Sequence, residues 1–299
     1  MDLWQLHVFC RVVETKSFSK AAELVHLSQP TVSSHVQDLE THFGCRLIDR
    51  LSRQAVPTQA GRLLHGYARR LLSLRDEAEA AIAEHQGRMR GSLVIGGSTI
   101  PGTYLLPVAL GIFKKRFPEI KVSLRIADTS GIVGEIFAGT LELGVVGAEV
   151  KNRSIIQEKV LNDEMRLIVP AGHPWAGGKK VTITALLNEP FIARERGSGT
   201  LQSFQDRLLR IGHSLDEFNV VAEMGSTEAI RQAIKNRVGV SILSTLAVEN
   251  DLASGSLKAL AVDGVDLTRS FYLTRHRQRS LSPLGDAFTR VLKEHIAER

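Results

Sequence analysis

The spacing of apolar residues changes at Gly91, and that change limits what this chain can fold into. Before it, apolar residues recur at three- and four-residue steps, the period of α-helices. After it, short apolar runs such as Leu93-Val94-Ile95-Gly96, Leu143-Gly144-Val145-Val146 and Met165 to Val169 alternate with helical stretches, the rhythm of a parallel α/β sheet. With 299 residues the chain exceeds the usual size of one domain. A helical front part followed by a separate α/β part is therefore expected.

In the front part, Leu3, Leu6, Phe9, Cys10 and Val13 share one face of a first helix ending near Thr15. Ser17 or Ser19 suits the cap of a short second helix, and Ser28 that of a third, with Pro30 in its first turn where the missing donor costs little. Val32, Val36, Leu39 and Phe43 form the apolar stripe of the third helix, and Gly44 is its left-handed stop. Its other face presents Pro30, Thr31, Ser34, Gln37 and Asp38, small and polar. Two short helices joined by a tight turn, the second with such a face, match a helix-turn-helix whose second helix enters the major groove of double-stranded DNA. Arg46 to Arg50 and Gln54 to Val56 are short strand candidates around a loop carrying Arg53, a wing whose arginines reach phosphates.

The formal net charge is +6, which many proteins without a polyanionic partner share. Its placement is more informative: from Gly44 to Arg75 seven arginines face one acid, Asp49, just after the candidate reading helix. From Gln59 to about Gln86 a proline-free helix carries Leu64, Tyr67, Leu71, Leu74, Ala78, Ala81 and His85 as a heptad seam, which points to a homodimer or homotetramer. Gly87 to Gly91 reads as a hinge. The two cysteines, Cys10 and Cys45, have no ligand spacing and are read as buried thiols, so neither metal nor cofactor is expected. No apolar span or signal-like opening is present, and a cytoplasmic location without membrane contact follows as an expectation.

Phe9, Ser17-Phe18-Ser19-Lys20-Ala21-Ala22, Leu27 to Ser33, Leu39-Glu40, Phe43-Gly44, Leu47 to Arg50 and Pro57-Thr58-Gln59-Ala60-Gly61 together resemble the DNA-binding domain of the LysR family of transcriptional regulators. The resemblance implies a winged helix-turn-helix in which Gln29, Pro30, Thr31, Ser33, Ser34 and His35 face operator DNA and Arg50 and Arg53 support the wing. Many members carry arginine where this chain has Ser34, a departure that either removes a guanidinium contact to guanine and shifts operator preference or is neutral. RNA polymerase stands as a candidate partner.

The α/β part is similar to the two-lobed, periplasmic-binding-protein-like sensor domain of the same family. Four places where strands run into helices are rich in hydroxyls and glycine: Gly96-Gly97-Ser98-Thr99, Asp128-Thr129-Ser130-Gly131, Gly197-Ser198-Gly199-Thr200 and Gly225-Ser226-Thr227. Helix N-termini offer free N–H groups and a positive dipole end, which suits a small anion. The similarity implies Ser98, Thr99, Thr129, Ser130, Ser198 and Thr200 as effector-binding residues. Arg194 and Arg196 are available to neutralise an anion, although arginines beside Glu195 more often form surface pairs. The first loop resembles that of the regulators of cysteine biosynthesis, and the wider sequence is similar to members associated with sulfur and selenium metabolism, implying a sulfate-like oxyanion or a small related metabolite. The expected organisation is a DNA-binding domain over residues 1–58, a linker helix over 59–87, a hinge at 88–91 and an effector domain over 92–299. Its lobes are expected at about 92–162 with 268–299, and about 163–267.

Two other readings compete. A metabolic enzyme lacks support, since there is no Gly-x-Ser-x-Gly or His-Glu-x-x-His, and Gly172 to Lys179 misplaces the lysine of a phosphate loop. A solute-binding protein fits the second half but leaves the helix-turn-helix unexplained.

Overall fold

Asp2 opens the first helix by accepting the Gln5 N–H at 2.7 Å while the Gln5 side chain accepts the Asp2 N–H at 3.1 Å, a reciprocal cap. In the computed structural model, which describes residues 1–49, 54–85 and 90–297, this helix is α1 (Leu3–Thr15). Ser17 caps α2 (Phe18–Val25), and Ser28 caps α3 (Gln29–Phe43), which stops at Gly44. Phe9, Val12, Ala21, Val32, Val36 and Leu39 are fully buried between the three helices. Phe43, expected on the same stripe, is 42% exposed, because the last turn of α3 runs past this core.

Among the described residues the wing consists of two short strands. β1 (Ile48–Asp49) pairs antiparallel with β2 (Val56–Pro57), and both Arg50 and Arg53 lie outside the described residues. The buried carboxylate of Glu40 on α3 accepts the N–H groups of Leu47 at 2.8 Å and Ile48 at 3.2 Å, fastening β1 to the reading helix. On the far side of the wing the Thr58 N–H bonds the Leu47 carbonyl at 3.0 Å, and the Thr58 hydroxyl accepts the Gly61 N–H at 3.0 Å. Thr58 therefore caps α4 (Gln59–His85). The first turn of α4 lies so close to the wing that a Cβ on Gly61 would stand 2.0 Å from the Leu47 carbonyl oxygen.

Ala68 of α4 is buried in the helix-turn-helix core with Leu64 and Leu72 packed beside it. Leu64 thus faces inward rather than along the expected seam. An exposed stripe remains of Leu63, Tyr67, Leu71, Leu74 and Ile82, stepping by about one helical turn or two. The side chains of Ala81 and His85, and residues 86–89, which include the first part of the expected hinge, lie outside the described residues.

The chain divides into two units, Met1–Gly91 with Ala138–Thr140, and Ser92–Phe137 with Leu141–Arg299. The second begins with β3 (Gly91–Ser98), a π-helical turn over Pro101–Leu105, α5 (Leu106–Arg116), β4 (Ile120–Ala127), α6 (Thr129–Ala138) and β5 (Leu143–Val146). The long β6 (Ile155–Pro170) leads to β7 (Lys180–Val181), α7 (Ile183–Asn188), β8 (Phe191–Arg194), α8 (Gly199–Arg210), β9 (Val220–Met224) and α9 (Thr227–Lys235). Then follow β10 (Ser241–Ser244), α10 (Thr245–Ser254), β11 (Leu257–Val262), β12 (Thr268–His276) and α11 (Pro283–Ala297).

The main sheet has the order β4-β3-β5-β12-β6-β11-β7, with β10 also on β6, while β8 and β9 pair with each other. The rhythm of apolar runs reads as a parallel α/β sheet, and the sheet found is mixed. β3 with β5 and β8 with β9 are parallel, but β12 runs antiparallel to both β5 and β6, and β10 and β11 run antiparallel to β6. The reason is the length of β6. Its first ten residues pair with β12 on the side of β5, and its last six pair with β10 and β11. One strand thus passes from a core holding Ile132, Ile136 and Val146 to others built on Met165, Leu167 and Ile168, and β12 brings the chain back beside it. No helix among the described residues is long and apolar enough to cross a membrane.

Two outcomes follow. Gly61→Ala forces a methyl group against a backbone oxygen that cannot move without the wing, so it lowers the stability of the DNA-binding unit by about 1–3 kcal/mol in urea unfolding. Burial pushes the Cys10 thiol up to about 12, whereas Cys45 is exposed, contrary to its expected burial. A thiol reagent at pH 8 therefore labels Cys45 in the native protein and Cys10 only after unfolding.

Candidate effector cleft and DNA-reading helix

The reading helix α3 exposes Gln29, Pro30, Thr31 and Ser34, while Ser33 and His35 are half-buried. The Thr31 hydroxyl shares a 2.7 Å hydrogen bond with that of Ser28, so the cap and the first exposed turn are one unit. His35 turns Nδ1 inward, where it has no hydrogen-bond partner. The eight residues expected to face DNA thus separate into four exposed on one helix, two partly withdrawn and two outside the described residues.

In the second unit the hydroxyl-rich turns converge. Ser98 at the end of β3 with Thr99 after it, Thr129 at the start of α6, and Ser198 and Thr200 at the start of α8 line a common cleft with Arg194 and Arg269. Five of the six expected effector residues are therefore together. Ser130 is exposed and is not part of this lining. The fourth hydroxyl cluster contributes at one remove: Ser226 caps α9, and the buried Thr227 hydroxyl accepts a hydrogen bond from Arg194 Nη1 at 2.9 Å.

Each hydroxyl in the cleft has a distinct assignment. Ser98 Oγ accepts the Gly147 N–H at 3.0 Å and joins β3 to the end of β5. Ser198 occupies the N-cap position of α8 but makes no side-chain cap bond. Thr200 Oγ1 accepts from Arg269 Nη1 at 3.0 Å. Thr129 Oγ1 is buried and has no partner. Loop 197–199 approaches α6 closely: Gly197, at φ +93, would place a Cβ 2.6 Å from Asp128 Oδ2, so a side chain there is barred by both space and backbone conformation.

The two arginines supply the charge. Arg194 is buried, not a surface residue; it holds Glu195 through Nε at 2.7 Å and Nη2 at 2.8 Å, and reaches Thr99 Oγ1 at 3.4 Å. Arg196 is exposed and stays out of the cleft. Arg269, which the sequence reading missed, lies on β12 directly opposite Asp163 on β6. Its Nε bonds Asp163 Oδ2 at 2.7 Å, the other Asp163 oxygen accepts from the Ser244 hydroxyl at 2.6 Å, and Arg269 Nη2 is buried without a partner. Burial draws the Arg269 pKa down from its ordinary value while Asp163 opposes the shift, and a guanidinium remains charged under such conditions. A signal for Arg269 was present in the alternation of β12, where Arg269, Phe271 and Leu273 all point inward.

Two helix N-termini, hydroxyl donors and two buried guanidinium groups are the chemistry that suits a small anion. The space left between them is about 10 Å³, room for one water, so a larger ligand enters only as the lining parts.

Comparison with known proteins agrees with this architecture. Residues 3–62 match "Bacterial regulatory helix-turn-helix protein, lysR family", and residues 86–297 match "LysR substrate binding domain". The RuBisCO operon transcriptional regulator of Allochromatium vinosum is 33% identical over 302 residues, covering 99% of this chain and 97% of that protein. The Synechocystis PCC6803 CcmR regulatory domain, solved in complex with 2-PG, is 29% identical with a TM-score of 0.63 and covers 69% of this chain and 97% of its own. Full-length CbnR, solved in complex with its target DNA, has the same fold at 20% identity, with a TM-score of 0.71 over 98% of this chain and 99% of that one. These relatives are regulators, not enzymes, and a helix-turn-helix joined to the sensor domain sets the chain apart from a solute-binding protein. The chain belongs to the LysR family of bacterial transcriptional regulators, DNA-binding proteins with an effector-binding domain.

Proposed function

We propose that this regulator controls a RuBisCO operon, binding a two-fold operator as a homodimer or homotetramer and responding to a small anionic metabolite held in the cleft. The pathway reading rests on the name of the Allochromatium vinosum relative, which covers nearly the whole chain. That name points to carbon fixation and lends nothing to the sulfur and selenium assignment, whereas the oxyanion chemistry behind that assignment carries over. The exposed apolar stripe of α4 supports dimerisation, since a continuous Leu- and Tyr-bearing face on a long helix is the kind of surface that a partner helix covers.

The observation that carries the effector reading is the coincidence of two unsatisfied polar atoms among residues lining one cleft, Thr129 Oγ1 and Arg269 Nη2. A buried donor without an acceptor costs about 1–3 kcal/mol, and an anion that supplies the acceptors recovers it. 2-PG, the ligand in the CcmR regulatory-domain structure, is the first candidate.

Thr129→Val separates binding from folding. It removes a hydroxyl that has no partner, so the variant keeps or gains thermal stability. A ligand at ~100 times its dissociation constant adds ~2.7 kcal/mol to the native protein, and this stabilisation by 2-PG shrinks in Thr129→Val as affinity falls roughly tenfold. A full shift in the variant, or none in the native protein while sulfate stabilises it, removes 2-PG from this role. On the DNA side, Gln29→Ala relaxes preference among operator sequences by about 1–3 kcal/mol, whereas Arg50→Ala and Arg53→Ala weaken all sequences alike and each lower the salt slope by about 0.9. Fluorescence anisotropy across a salt series distinguishes the two behaviours.

A further inference from the structure

A second cavity, of about 380 Å³, lies along the same helix that opens in the effector cleft. The first residues of α8, Gly199 and Thr200, line the cleft, while Ser203, Asp206, Arg207 and Arg210, on one face of the following turns, line the second cavity. Its opposite wall comes from β6 and β12 and carries Lys159, Asn162 and Tyr272. Arg269 belongs to the lining of both spaces.

Charges of both signs line this space, Lys159, Arg207 and Arg210 beside Glu149, Asp206 and Asp266. No ion pair among the described residues uses Lys159, Arg207 or Arg210. Arg207 is directed by a 2.7 Å bond to the Thr268 carbonyl. The acids on the rim are partly occupied: Asp266 accepts the Thr268 N–H at 2.9 Å and Asp206 accepts from Gln202 at 3.0 Å. The Thr268 N–H and, at longer range, Arg207 and Arg210 draw the Asp266 pKa down; without a contact ion pair, the three cations stay open to an acidic group, and the carboxylates, Asn162 and Ser203 provide for hydroxyls.

We infer that this cavity is a second binding site, for a small hydroxylated anion, a hydroxy acid or a phosphate ester. A ligand in it joins α8 to β6 and β12, the crossing strands on which the cleft also depends. Occupancy therefore alters how far the start of α8 can move away from α6, and each site changes the affinity of the other by the same factor.

Calorimetric titration of the full-length protein with citrate and with glycerol 3-phosphate tests the inference, the two probes separating carboxylate from phosphate chemistry. At least one binds the native protein. Its affinity falls tenfold or more in the Lys159→Ala/Arg210→Ala double variant, whose two changed residues are solvent-accessible and leave the unfolding midpoint where it was. It persists in Thr129→Val, and Arg210→Lys restores part of what Arg210→Ala loses. Binding of neither probe, equal binding in the double variant, or loss in Thr129→Val alone overturns the second site. The last of these would assign the probe to the cleft, and the response to 2-PG is read independently of all three.

Discussion

The buried ion pair between Arg269 and Asp163 holds together the place where the two crossing strands of the effector domain meet. The residues stand opposite each other on β12 and β6, both almost wholly out of water. Removing one partner from such a pair costs about 3–5 kcal/mol, because the other charge is left buried and alone. Its greater importance is geometric. Asp163 also takes the Ser244 hydroxyl at the start of α10, and Arg269 also takes Thr200 in the first turn of α8. One pair therefore orients the crossing strands, two helix starts and the charged wall of the cleft at once.

The parts of this architecture that were legible in the sequence are those set by local rules. Ser17, Ser28 and Gly44 bound their helices where capping chemistry puts them, and β5 coincides with its apolar run. The illegible parts depend on partners distant in sequence. The first half of β6 carries Gln157, Glu158, Lys159, Asn162, Asp163 and Glu164, with no apolar run longer than two residues to mark it, because its strand character comes from pairing with β12, more than a hundred residues later. Only its last residues, Met165 to Val169, were readable as strand. Arg194 was set aside because Glu195 follows it; the pair exists, but the fold buries it. The family resemblance implies Ser130 together with Thr129, yet successive helical residues differ by about 100° and one step turns its side chain to solvent.

The two units solve different problems with similar chemistry. In the DNA-binding unit a buried carboxylate, Glu40, receives backbone N–H groups from the strand that follows and so fixes the wing against the reading helix. In the effector unit Glu142 does the same work for a helix start, accepting the Ser282 N–H at 2.7 Å and its hydroxyl at 2.8 Å just before α11. Both are side chains used as substitutes for missing backbone partners, at points where no regular ladder can continue.

In the proposed function, the narrowness of the cleft makes sensitivity a property of the crossing strands as much as of the ligand. With space for about one water between its walls, the cleft admits a metabolite only from the fraction of molecules that are open. The apparent dissociation constant equals the intrinsic one divided by that fraction, so a form open ~1% of the time reports ~100-fold weaker binding. A substitution near the crossing of β6 and β12 that eases opening would lower the metabolite concentration at which the regulator responds, without altering any atom the metabolite touches. Regulators with the same contacts could in this way be set to different cellular thresholds.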